Sequence, residues 1–137
     1  MFFENSKYYK TFQSYKLVMP FGNYYFTEKF IVGEIHEGMH IDWDKTQAII
    51  NEAVEFYGKN AKLAFISNRI NRYSVDPQNW INMEQKYNFI VASAIVIYSS
   101  STYMNASIEK KFAQKNIKRA SNLDEAIKWV LNLKEFN

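Results

Sequence analysis

The stretch "NFIVASAIVIY", residues 88–98, decides the fold. It is a near-continuous apolar run rich in β-branched residues and without polar alternation, which predicts a strand buried on both faces, as in a sheet covered by helices. Upstream, "AKLAFIS" (residues 61–67) is a second short apolar strand. Between the two, Asp76 offers an N-cap and Pro77 a first helical position, opening a helix that carries Trp80, Ile81 and Tyr87 inward. A strand–helix–strand order implies a right-handed crossover between parallel neighbours. The segments around Ile66 and Val96 are therefore expected side by side, their exits opening onto one rim.

Working back towards the start, "YKLVMPF" (15–21) and "NYYFTEKF" (23–30) flank Gly22-Asn23, a turn dipeptide, and Pro20 suits an edge strand. "FIVGEIHEG" (30–38) supplies a third strand with a turn at Glu37-Gly38, and "MHI" (39–41) a short return strand. The period then changes. Asp42 caps a helix whose stripe is Ile49, Ile50, Ala53, Val54 and Tyr57, and Gly58 ends it in the left-handed conformation.

Working forward, "SSSTYMN" (99–105) is expected as a loop at the strand's carboxyl end, leading to a helix around Ala106 to Gln114. "NIKRAS" (116–121) is a short strand. Asn122 or Ser121 caps the last helix, Asp124 and Glu125 favour its positive end, and Leu123, Ala126, Ile127, Val130 and Leu131 form its apolar stripe. The fold class is mixed α/β: a mostly parallel sheet of four to six strands, an N-terminal antiparallel β meander and about four helices. Residues 1–13 form an N-terminal arm, and residues 14–137 a single domain.

With 137 residues, 47% hydrophobic and 18% aromatic, the chain can bury one real core. It has no cysteine, which excludes thiol nucleophiles, disulfides and Cys zinc sites. A formal charge of +3 is too weak a balance to argue for nucleic acid. The start, "MFFENSKYYKTFQ", does not read as a secretion signal, and the run from Phe89 to Tyr98 is about half the length of a membrane span. A cytoplasmic protein is expected, without a membrane span or cofactor.

The segment "FAQKNIKRASNLDEAIKWVLNL" (112–133), with Ser121-Asn122-Leu123-Asp124-Glu125-Ala126 followed by Trp129, resembles the carboxyl end of STAS domains, and more closely the SpoIIAA-like proteins of STAS/SEC14 type. The order of elements from about Tyr15 onward is similar to that fold. The resemblance implies a non-catalytic, regulatory module acting through a protein partner. It also implies a phosphorylatable serine where the strand after the first long helix ends. Ser67 stands there, but no Asp precedes it and no Gly follows.

That position opens the stretch Ser67, Asn68, Arg69, Asn71, Arg72, Tyr73 and Ser74, the candidate binding loop. Loops at strand carboxyl ends hold ligand sites in open α/β folds, and two guanidiniums near a helix amino terminus could hold an anion. The alternative is a connection in which Asn and Ser satisfy the loop backbone. Ser67 and Ser74 are the candidate phosphorylation sites.

His36 and His40 with Glu34, Glu37 and Asp42 suggest a metal, but a turn separates the histidines, so structural roles are expected and no metal. "EKKFAQKNIKR" (109–119), with Lys110, Lys111, Lys115, Lys118 and Arg119 beside Phe112, is a solvated basic helix face rather than a nucleic-acid surface. The aromatic surplus, including Tyr24, Tyr25, Phe26, Phe30, Trp43, Phe56, Tyr57, Trp80 and Tyr87, fits a core, an apolar pocket or a surface for self-association as a dimer. Gly-rich phosphate loops, nucleophile elbows and kinase motifs are missing, so no enzyme is expected. Two functions remain: protein interaction, or binding of a small apolar or anionic ligand at the strand exits.

Overall fold

The computed structural model describes every residue except Gln114 and Asn116. The expected helix end at Gln114 and strand start at Asn116 lie outside the described residues. In chain order the strands are β1 (Tyr15–Met19), β2 (Gly22–Phe26), β3 (Phe30–Ile35), β4 (His40–Ile41), β5 (Leu63–Asn68), β6 (Ser74–Val75), β7 (Ile90–Val96) and β8 (Ile117–Ala120). Six of them form one sheet in the order β1-β2-β3-β5-β7-β8. The β1-β2 and β2-β3 pairings are antiparallel, and the rest are parallel. Ile66 stands beside Ala94 and Asn68 beside Val96, so the two apolar segments are parallel neighbours as their lack of polar alternation predicts.

Two details of the meander differ from the sequence reading. The first reversal falls at Pro20-Phe21, not Gly22-Asn23: Met19 already pairs with Gly22. Gly22 is needed inside the strand instead, because a Cβ there would stand 2.7 Å from the Glu34 carbonyl oxygen. The segment read as a return strand, His40–Ile41, runs parallel to Ser74–Val75 in a separate two-stranded ribbon. The chain reaches this ribbon through Gly38, whose φ of +79° needs a residue without Cβ.

One face of the sheet is covered by α5 (Leu123–Leu131) and by the arm, which forms a 3-10 turn (Phe3–Asn5) and α1 (Lys7–Thr11). Asn122 Oδ1 accepts from Glu125 N at 2.8 Å and Glu125 Oε2 accepts from Ser121 N at 2.8 Å, a reciprocal cap that fixes the start of α5. Its stripe Leu123, Ala126, Ile127 and Val130 buries against Phe30, Val32, Ile66 and Val96. Phe3 enters the same core completely, and the Tyr8 hydroxyl donates to Asp124 of α5.

The opposite face carries α2 (Trp43–Tyr57), α3 (Gln78–Lys86) and α4 (Ser100–Phe112). Asp42 accepts from Lys45 N at 3.0 Å to start α2, Gly58 ends it with φ +89°, and Ile49, Ile50 and Ala53 turn inward. Asp76 Oδ1 accepts from Gln78 N at 3.0 Å at the head of α3, with Pro77 beside it in helical dihedrals. The segment 99–105 corrects the sequence reading. It is not a loop: Ser99 Oγ accepts from Thr102 N at 3.2 Å, and α4 begins at Ser100. The serine run reads as a linker because Ser competes for backbone groups, which is also what makes Ser99 a good cap.

Candidate functional site

At the end of β5 the strand alternation sends successive side chains to opposite faces. Ser67 turns to the α2–α3 side and Asn68 to the arm side, so the loop that reads as one site divides into two.

On the α2–α3 side, the Ser67 hydroxyl lies 2.8 Å from the Tyr73 hydroxyl and accepts from Arg69 Nε at 3.0 Å. Arg69 is 5% exposed and grips Glu109 of α4 with two parallel bonds of 2.5 and 2.6 Å. Trp80 Nε1 donates to the same carboxylate at 3.0 Å, and the guanidinium lies over the Tyr73 ring. Burial alone would favour loss of the Arg69 proton, but Tyr73 and Glu109 outweigh it and hold the guanidinium charged. Burial pushes the Tyr73 phenol up, with Arg69 and the Ser67 hydrogen bond pulling the other way. These polar groups satisfy one another.

Behind them, between the sheet and helices α2 and α3, lies a cavity of about 100 Å³. Gly33 and Phe65 of the sheet, Ile49 and Ala53 of α2, Met83 of α3 and Phe89 are in its wall; Ser67, Arg69, Tyr73, Thr46 and Asn79 form the polar part of the lining. Gly33 lets the rings of Phe65 and Tyr24 pack directly onto the sheet, since a Cβ there would stand 3.0 Å from each. Asn79 is 4% exposed. Its Nδ2 donates to the Ile41 carbonyl at 2.9 Å and to Thr46 Oγ1 at 3.0 Å, while Oδ1, among the described residues, is a buried side-chain atom without a partner.

On the arm side, Asn68 Nδ2 and Phe3 N both donate to Glu34 Oε2 at 2.7 Å, and the Tyr98 hydroxyl donates to Asn68 Oδ1 at 2.8 Å. Burial raises the Glu34 carboxyl above its ordinary value although both hydrogen bonds oppose the shift. This side is filled by Phe3 and its neighbours.

The other candidates have separate places. Asn71 Nδ2 holds the Ile35 carbonyl at 3.0 Å, Arg72 is exposed with its backbone N–H on Glu37 Oε2 at 2.7 Å, and Ser74 is exposed against His40 Nδ1 at 2.7 Å. Ser67 is buried with its hydroxyl engaged, so of the two serines Ser74 is the one at the surface. Arg69, Asn71, Arg72 and Tyr73 do share a recess of about 60 Å³ with Ser101, Thr102 and Asn105 of α4, which is the expected meeting of the two strand exits. Arg69 brings no free charge to it.

Among the described residues no group of three or more His, Asp or Glu could hold a metal; Asp42 caps α2, Glu37 serves Arg72 and Glu34 faces the arm. The basic segment disperses: Lys115 Nζ reaches the Ile90 carbonyl at 3.0 Å, Lys118 pairs with Glu125 at 3.5 Å and Arg119 stacks over Tyr103. No described helix is long and apolar enough to cross a membrane.

Sequence reasoning missed Glu109 and Asn79. Thr102, Ala106 and Glu109 form the buried side of α4, which places the carboxylate inside opposite a cation, but a stripe with two polar members does not mark a buried helix face in sequence.

The sequence matches no protein-family model and no curated protein. Among solved structures, the chain is similar to an uncharacterized DUF3478-family protein with a SpoIIAA-like fold from Shewanella loihica PV-4, with a TM-score of 0.53 and 9% identity over 86% of this chain and 92% of that one. The likeness establishes the fold as SpoIIAA-like and, at that identity, nothing of the activity.

Proposed function

We propose that this chain is a non-catalytic module that binds a small apolar ligand between the sheet and helices α2 and α3. The observation that carries the reading is the cavity of about 100 Å³ with its largely apolar wall. Close-packed interiors leave few such spaces, and an apolar guest entering this one would leave water and gain contact with its wall. The absence of catalysis rests on the polar edge: Ser67 and Tyr73 bond to each other, and Arg69 and Glu109 are consumed by their mutual pair, so no nucleophile is set against a free base. Thermal denaturation with toluene as probe tests the reading. A saturable rise in Tm for the wild-type chain, lost in Ala53→Ile, is expected; a wild-type Tm indifferent to toluene contradicts it.

A second reading, docking of a protein partner, is favoured by a separate observation. Helix α4 buries only Thr102, Ala106 and Glu109 and leaves Met104 65%, Ile108 48% and Phe112 38% exposed at a spacing of four, with Lys110 and Lys111 also exposed. Such a stripe fits an acidic amphipathic helix of a partner. Binding of a synthetic acidic amphipathic helical peptide by the wild-type chain, lost in Met104→Glu/Ile108→Glu, would support this reading, and no binding, or equal binding by both, would remove it.

A further inference from the structure

We infer that the cavity selects a neutral ligand carrying one hydrogen-bond donor, received by the side-chain oxygen of Asn79. The inference rests on the cavity being a ligand site and narrows the ligand's chemistry. Asn79 belongs to the wall, is nearly fully buried, and has its amide nitrogen committed to Ile41 and Thr46. Its oxygen has no partner among the described residues. A buried carbonyl oxygen with unused lone pairs rewards a guest that offers an N–H or O–H and penalises one that offers only C–H.

Charge is excluded by the neighbours. The full positive charge in the lining is Arg69, and both of its terminal nitrogens already donate to Glu109. The Glu109 oxygens in turn accept from Arg69 and from Trp80 Nε1. An anion would be desolvated against a guanidinium that is already neutralised, and a cation against a carboxylate already used. Size sets the rest. An apolar cavity of about 150 Å³ can hold benzene, so a space of about 100 Å³ fits a short chain directly and a single ring only where its walls move apart. A phenol-like or short alcohol ligand satisfies these conditions.

Phenol and toluene form the test pair, since they share a ring and differ by hydroxyl for methyl; benzoate adds a charge. Calorimetric titration of the full chain is expected to give a ratio of toluene to phenol dissociation constants that falls about fivefold or more in Asn79→Leu, with no binding of benzoate. An unchanged ratio, or benzoate bound as well as phenol, overturns the inference while leaving the cavity a ligand site. Binding of neither phenol nor toluene overturns both. Asn79→Leu gives up two hydrogen bonds and could fail to fold, so a wild-type crystal soaked in phenol supplies an independent readout. The phenol oxygen beside Asn79 Oδ1 supports the inference, and an oxygen turned to Ser67 or Tyr73, or a ring bound elsewhere, overturns it.

Discussion

Ser67 and Asn68 are adjacent in sequence and lie on opposite faces of the sheet, and the two faces are filled in different ways. On the arm side, Phe3, Phe30, Ile66 and the α5 stripe close on one another to near-zero exposure, and the polar residues there, Glu34 and Asn68, are bound by Phe3 and Tyr98. On the α2–α3 side, the same strands meet helices that leave a void, and the polar residues form a self-contained ion pair at its edge. The sheet is shared, so the difference comes from what covers it. An amphipathic helix with a continuous stripe and a folded-over arm make a closed core, whereas on the other side the short side chain of Ala53 leaves space in the wall.

The strongest way to break this comparison is to orphan the buried charge. Glu109→Ala is expected to lose about 3–5 kcal/mol in urea denaturation, because Arg69 would remain charged and buried, whereas Arg69→Met/Glu109→Leu, which leaves only the Trp80 Nε1 donor unpaired, should lose about 1–2 kcal/mol. Equal losses in the two variants would show that the pair is not the desolvated unit described here. Next comes volume. Ala126→Ile on the closed face should cost roughly 2 kcal/mol by overpacking, while Ala53→Ile, which grows into the void, should stay within about 1 kcal/mol of wild type. If the two alanines respond alike, the faces are packed alike.

Electrostatics sharpens the contrast further. The Glu34 carboxyl is raised above its ordinary value of 4.5, so its contribution to stability is full below that value and is lost as pH rises through the raised one. Glu34→Gln should therefore gain stability relative to wild type as pH rises from 4.5 upward, read by denaturation at several pH values. A constant difference between the two would contradict the burial. Asp42, Asp124 and Glu125, whose carboxyls are lowered by backbone or side-chain hydrogen bonds, work with the opposite sign and lose their contribution as pH falls. The smallest effect is at the arm: Tyr8, pushed up to about 12 by burial and by Asp124, should on change to Phe lower Tm by roughly 2–5 °C. No change in Tm would mean that the Tyr8–Asp124 bond adds nothing to the hold on the arm.

The closed face was the more legible in the sequence. The α5 caps and stripe are local signals, and the runs at 63–67 and 89–98 announce burial by composition, so the parallel pairing of β5 and β7 follows from them. The start of α4 was not legible, because its buried stripe consists of Thr102, Ala106 and Glu109 while its apolar residues face outward, which inverts the usual amphipathic pattern. The candidate loop lies at the strand exits, yet a stretch of sequence cannot show that alternation splits Ser67 from Asn68 or that Arg69 is taken by a residue 40 positions away. Asn79 was invisible for a related reason. A lone asparagine on a helix reads as surface until the helix is packed, and an unpartnered oxygen exists only in three dimensions.

A ligand site between the sheet and α2 requires the space beneath Arg69 to be available to an apolar guest. A crystal of the wild-type chain pressurised with xenon measures this directly. A xenon atom is expected among Ile49, Ala53, Phe65 and Met83. Helix α2 closed down on the sheet, with no xenon between them, would contradict it.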